Sequence, residues 1–115
     1  MDESILNDIK KMLGLDADYK AFDTDILVLI NSTLLSLIQC GLDVKSDFVV
    51  KSDSERWCDF LPNDNAYLAV KNYVFLATKI VFDPPASSFV LDAYNKQLDE
   101  LRWRIGLQAD SLYFQ

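Results

Sequence analysis

The sequence of 115 residues is about one domain long and half of it is hydrophobic, enough for a single core and too little for two. Its 11 Lys and Arg stand against 18 Asp and Glu, a net charge of −7, which argues against a surface built to grip nucleic-acid phosphates or anionic lipid. Two cysteines without a CxxC spacing, and no histidine, leave tetrahedral zinc sites and Cys-His nucleophiles without their ligands.

The opening "MDESILNDIKK" is acidic where a signal peptide is basic, and no apolar run approaches the ~18 residues of a membrane span, so a soluble, unsecreted protein is expected. Within 3–13, Ile5, Ile9, Met12 and Leu13 recur at helical spacing, with Glu3 early, Lys10 and Lys11 late and Gly14 as the stop. "FDTDILVLINSTLLSLIQCG" predicts a second helix, with Asp23 as N-cap, Asp25 in the first turn, Phe22 stapled onto Leu27 and Gly41 at the end. Ile26, Leu27, Ile30, Leu34, Leu37 and Ile38 make the broad apolar stripe of a core helix. Cys40, in this pattern, and Cys58, beside an aromatic, are expected as buried thiols of an intracellular protein rather than a disulfide.

Residues 42–64 differ: six acids and three bases surround "DFVV", followed by Trp57 and Phe60 just before Pro62. A connection this long in a small domain is functional or disordered as a rule. "DFVV" is expected as an extended segment able to pair as a short strand, and "SERWCDF" as one helical turn. Packing onto the core is the favoured reading for at least one of the two aromatics. A loop with such anchors also suits partner contact.

From Asp64 onward, Ala66, Ala69, Val70, Tyr73, Val74, Ala77, Ile80 and Val81 cover overlapping faces of a helix whose only charges before Asp83 are Lys71 and Lys79. Such a helix is central, wrapped by its neighbours or completed by another subunit. Pro84 and Pro85 end it at Asp83, because proline has no N–H to donate and forces its predecessor out of helical geometry. Ser87 or Ser88 then caps a last helix over 88–107, with Val90, Tyr94, Leu98, Leu101 and Ile105 on one stripe and Trp103 off it. Its other side pairs Asp92 with Lys96, Lys96 with Glu100 and Glu100 with Arg104, which marks a solvated face. The final "DSLYFQ" has the look of a protease-tag remnant, so 1–107 is read as a single helical domain and 108–115 as a tail, disordered or added for expression.

Chemistry is hard to find. Asp16, Asp18, Asp23 and Asp25 lack the glycine and closing glutamate of a calcium loop and read as helix-start or solvated acids. No GxxxxGK[ST], GxGxxG or GxSxG occurs among only three glycines. A helix-turn-helix around "DPPASS" would send an acidic helix start into the groove. No enzyme, cofactor or metal is expected.

The segments "FDTDILVLIN", "WCDFL" and "VKNYVFLATKIVFDPPASSFVLDAYNKQLDELRWRI" taken together resemble the head–tail connector (adaptor, or head-completion) proteins of long-tailed bacteriophages and prophages. The resemblance runs from the first helix to about Leu107, with the D-P-P-x-S-S-F-V elbow as its sharpest element and 42–60 matching least. It implies an all-α fold, a small bundle of about four helices with a long, partly extended loop between helices 2 and 3. It also implies a structural virion protein assembled in the host cytoplasm into a ring, commonly twelvefold, beneath the portal. That ring would join head to tail, dock the next neck, stopper or tail-completion protein, and let DNA pass without binding it specifically or touching membrane.

Trp57, Phe60 and Trp103 are the candidate interface residues under this reading, and Asp83, Pro84 and Pro85 the shape-setting elbow. The acidity of residues 1–64, with 13 acids against 6 bases, would suit a conduit that must not hold phosphates. The alternative is a small helical protein-interaction module regulating a host or phage partner.

Overall fold

The computed structural model describes residues 1–42, 44, 47–62, 64 and 66–113, with side chains as far as Gly106. The fold is all-α: α1 (Ile5–Met12), α2 (Asp23–Gln39), the single turn α3 (Trp57–Phe60), α4 (Tyr67–Phe82) and α5 (Ser88–Tyr113). The last helix therefore continues past Leu107. The body is a slab, 44 × 36 × 19 Å along its principal axes.

Helix α4 is the centre, as its all-round apolarity requires. It packs against α2 and α5, and α1 closes over α2 and α4. Ile26, Ile30, Leu34 and Leu37 of α2 meet Val70, Tyr73 and Val74 of α4, Leu101 and Ile105 of α5, and Ile5 and Ile9 of α1 in one buried cluster. Each such aliphatic side chain contributes about 1.5–3 kcal/mol on burial, so this cluster is the main source of stability.

The ends of the helices follow local chemistry. Ser4 caps α1, its Oγ accepting from the Asn7 N–H at 3.2 Å, with Asp8 in the first turn and Lys10 and Lys11 in the last. Gly14 and Gly41, just beyond α1 and α2, sit at φ +84° and +106°, where a side chain is disfavoured. Asp83 closes α4 at φ −143°, ψ 72°, outside helical geometry as a residue before proline must be. Ser87 starts α5, its Oγ accepting from Val90 N–H at 3.5 Å and its carbonyl from Leu91 N–H at 3.1 Å.

Four expectations are corrected. Asp23 is not the cap of α2: Phe22 holds that position, and Asp23, inside the helix, lies 2.8 Å from the Nζ of Lys10, a lysine with no exposed surface. The same Nζ donates to the Ala17 carbonyl at 3.0 Å, so the acid satisfies a buried cation thirteen residues upstream instead of its own backbone. "DFVV" forms no strand; among the described residues the β pairing is a single isolated bridge between Ser4 and Arg56. The cysteines are free but not buried, Cys40 being half-buried and Cys58 exposed. On α5, Glu100 and Arg104 form an ion pair, whereas Asp92–Lys96 and Lys96–Glu100 do not.

Candidate assembly interface

The long connection is tied down by side chains. Asn31, on α2, donates its Nδ2 to the Val50 carbonyl at 2.9 Å and accepts the Val50 N–H on Oδ1 at 2.8 Å, so one amide side chain does for Val50 what a neighbouring strand would have done. Further on, Glu55 accepts backbone N–H groups of Lys51 and Ser52, both at 3.1 Å. Partial burial works against its charge, but those donors prevail and hold its pKa below the usual 4.5.

Trp57 is fully buried and Phe60 nearly so. The Trp57 indole donates to Asp8 Oδ2 at 2.9 Å, and Lys71 reaches the same oxygen at 2.8 Å while lying over the Tyr67 ring at 5.6 Å. Burial opposes the Lys71 charge, yet the Asp8 carboxylate outweighs it and raises the lysine's pKa above 10.5. Phe60 packs its ring 5.1 Å from that of Phe48. As folded, then, these two candidate interface aromatics are occupied inside the chain that carries them.

Trp103 is different, being 66 % exposed on α5 opposite the stripe of Leu101 and Ile105. Phe89, which sequence reasoning passed over, is 82 % exposed, and its spacing of two heptads from Trp103 puts both rings on one outward face, about 21 Å apart along the helix. That heptad spacing was the signal available. The inner side of α5 is fixed at its far end by Arg102, whose guanidinium donates to the Tyr73 hydroxyl at 2.6 and 3.2 Å.

The elbow is braced from below. Phe82, the last residue of α4, stacks edge-to-face with Phe22 at 5.3 Å, and Phe22 in turn with Tyr19 at 5.8 Å. Lys79 pairs with Asp83 across the final turn at 3.4 Å. Asp83 and Pro84 are exposed and Pro85 is half-buried, so the bend lies at the surface.

A second apolar surface, also absent from the candidate residues, lies on α2. Val28 and Leu35, seven residues apart, point away from the buried stripe, 60 % and 51 % exposed. With Asn31, Ser32, Ile38, Phe48 and Val49 they line a groove of about 420 Å³ whose lining, among the described residues, carries no charge. Beyond Ser32 a shallower groove of about 240 Å³ continues between α2 and α4 toward Val81. Among the described residues no group of three His, Cys, Asp or Glu side chains could hold a metal ion, and no helix is long and apolar enough to cross a membrane.

Apolar side chains thus stand on two outward faces of the helical slab, one on α2 and one on α5. The family model described as "Phage connector protein" matches residues 5–111, nearly the whole chain, and the chain belongs to that family. It is thus a structural phage protein, a virion component that assembles with the portal and other virion proteins. No curated protein and no solved structure matched the chain in the parallel comparisons.

Proposed function

We propose that this chain is the subunit of a homo-oligomeric ring, twelvefold in the virion, seated beneath the portal, where it prolongs the DNA channel and presents a docking surface to the next neck or tail-completion protein. The observation that carries the reading is the family match over 5–111. A ring of identical subunits needs rigid bodies with two different contact patches. The clasped loop supports the first requirement and the separate apolar faces of α2 and α5 the second. Asp83, Pro84 and Pro85 act here as a shape-setting bend, holding α5 at a fixed angle to α4.

DNA passes through such a ring without being gripped. The exposed acids Asp16, Asp18 and Asp47 are candidates for the channel side, and Asp43, grouped with them by sequence, lies outside the described residues. Replacing them with lysine adds phosphate contacts and should slow DNA ejection if they line the channel; unchanged kinetics would remove them from it.

The decisive experiment is electron microscopy of an induced lysate from a phage lacking this gene. DNA-filled or leaking heads beside separate, complete tails are expected. Intact virions, or a failure to form heads, would overturn the placement at the head–tail joint and favour a regulatory interaction module.

A further inference from the structure

We infer that the contact between neighbouring copies inserts Trp103, on the outer face of α5, into the apolar groove on the outer face of α2 of the next copy. The inference rests on the ring reading above and names its interface. Both partners are unsatisfied within one chain. Trp103 stands 66 % exposed on the side of α5 turned away from Leu101 and Ile105, and Val28, Leu35 and Val49 are about half exposed or more around the groove.

Within one copy of the fold the two surfaces stand apart. Helix α4 packs against both α2 and α5, while those two make no substantial contact with each other, and both surfaces in question face outward. The tryptophan of one copy can therefore be covered by this groove only in another copy. Because the two patches are different, the contact is head-to-tail and leaves each copy with one free patch of each kind, which propagates into a ring or a filament.

The chemistry of the pieces agrees. A groove of about 420 Å³ has room for an indole, and among the described residues its lining is aliphatic and aromatic apart from Ser32 and Asn31. Asn31 is already engaged with both backbone groups of Val50, so an entering apolar ring does not strip it of its partner. Ser32, at the shared edge of the two grooves, is a polar group able to meet the indole N–H. Buried tryptophans are the usual energetic centres of protein contacts. Phe89, on the same outward face of α5, gives the interface a second anchor near the elbow, so the proline bend also sets where that anchor arrives.

The test is site-directed crosslinking in a background carrying C40S and C58S, with portal of the same phage present and a short bismaleimide as reagent. Copies with Leu35→Cys alone mixed with copies with Asp99→Cys alone, a substitution at an exposed position one turn before Trp103 that leaves the indole in place, should give crosslinked dimers, and neither variant by itself should. The double variant should give a ladder of oligomers rather than a closed dimer. Links from Leu35→Cys to itself or from Asp99→Cys to itself, or a dimer as the largest product of the double variant, would overturn the head-to-tail assignment. Negative-stain images of the same mixtures separate two failures. Rings without the mixed crosslink would sink the α5-to-α2 contact and leave the ring reading standing, whereas no rings and no crosslinks would remove both. As a second measurement in the otherwise unaltered chain, Trp103→Asp should reduce ring yield at least tenfold without altering the circular dichroism spectrum; undiminished yield would count against the contact.

Discussion

The loop that carries Trp57 and the helix that carries Trp103 use the same side chain to opposite ends. In the first, the indole is surrounded by core residues and its N–H is matched to Asp8, itself shared with Lys71, so the aromatic locks a long irregular segment to α1 and α4. In the second, the helix needs no such lock. Its inner stripe and the Arg102–Tyr73 contact already fix it, and the tryptophan is left on the outside. A segment without periodic structure consumes its anchors to hold itself in place, whereas a regular helix has one face left over for others.

The widest separation between the regions should come from the two tryptophans. Trp57→Ala leaves a cavity and a buried carboxylate without its indole partner, so chemical denaturation should show a loss of about 3–5 kcal/mol. Trp103→Ala should change stability by no more than ~0.5 kcal/mol, as a surface substitution does. Equal losses would erase the distinction.

Next in size is the Lys10–Asp23 pair. Asp23→Ala strands a lysine with no solvent access and should cost about 3 kcal/mol. Adding Lys10→Met should recover most of that, because a methionine fills the space without needing a counter-ion. A third effect isolates the clasp. Asn31→Ala removes both partners of Val50, at about 1–3 kcal/mol for each buried group left unpaired, and should raise hydrogen exchange at the Val50 amide while sparing amides in α5. Exchange unchanged at Val50 would mean that the loop is held by its apolar contacts alone.

A small stability effect belongs to the elbow as well. Pro84→Ala and Pro85→Ala should each lower stability by only about 0.5 kcal/mol, through a freer unfolded chain. Ring yield should nevertheless fall, since the angle of α5 is no longer imposed. A normal yield would reduce the prolines to a simple chain turn.

What could be read from sequence tracks this contrast between regular and irregular chain. The phase of a helix is visible in its spacing, so the inner stripe of α5, the stray position of Trp103, the stop at Asp83 and the glycines after α1 and α2 were all legible. In 42–64 no period exists to tell inside from outside, so packing could be favoured for at least one of Trp57 and Phe60 without saying which. The strand expected at "DFVV" failed because the hydrogen-bonding capacity of Val50 is met by a side chain from α2, a partner nineteen residues away. Asp23 was misread for the same kind of reason, its true partner being a lysine on another helix. The groove on α2 escaped notice because it exists only once Phe48 and Val49 are laid beside Val28 and Leu35.

The pairing of the first helix with the loop also bears on how the chain is made. Ile5 N–H donates to the Glu55 carbonyl at 2.9 Å, Trp57 N–H to the Glu3 carbonyl at 3.3 Å, and the Trp57 ring fills the space beside α1. Eight residues are too few for a helix to persist alone in water. During translation α1 must therefore wait, unstructured, until a segment some fifty residues later has left the ribosome. A half-made subunit therefore lacks both the packing that settles α1 and the outward face of α5 that follows.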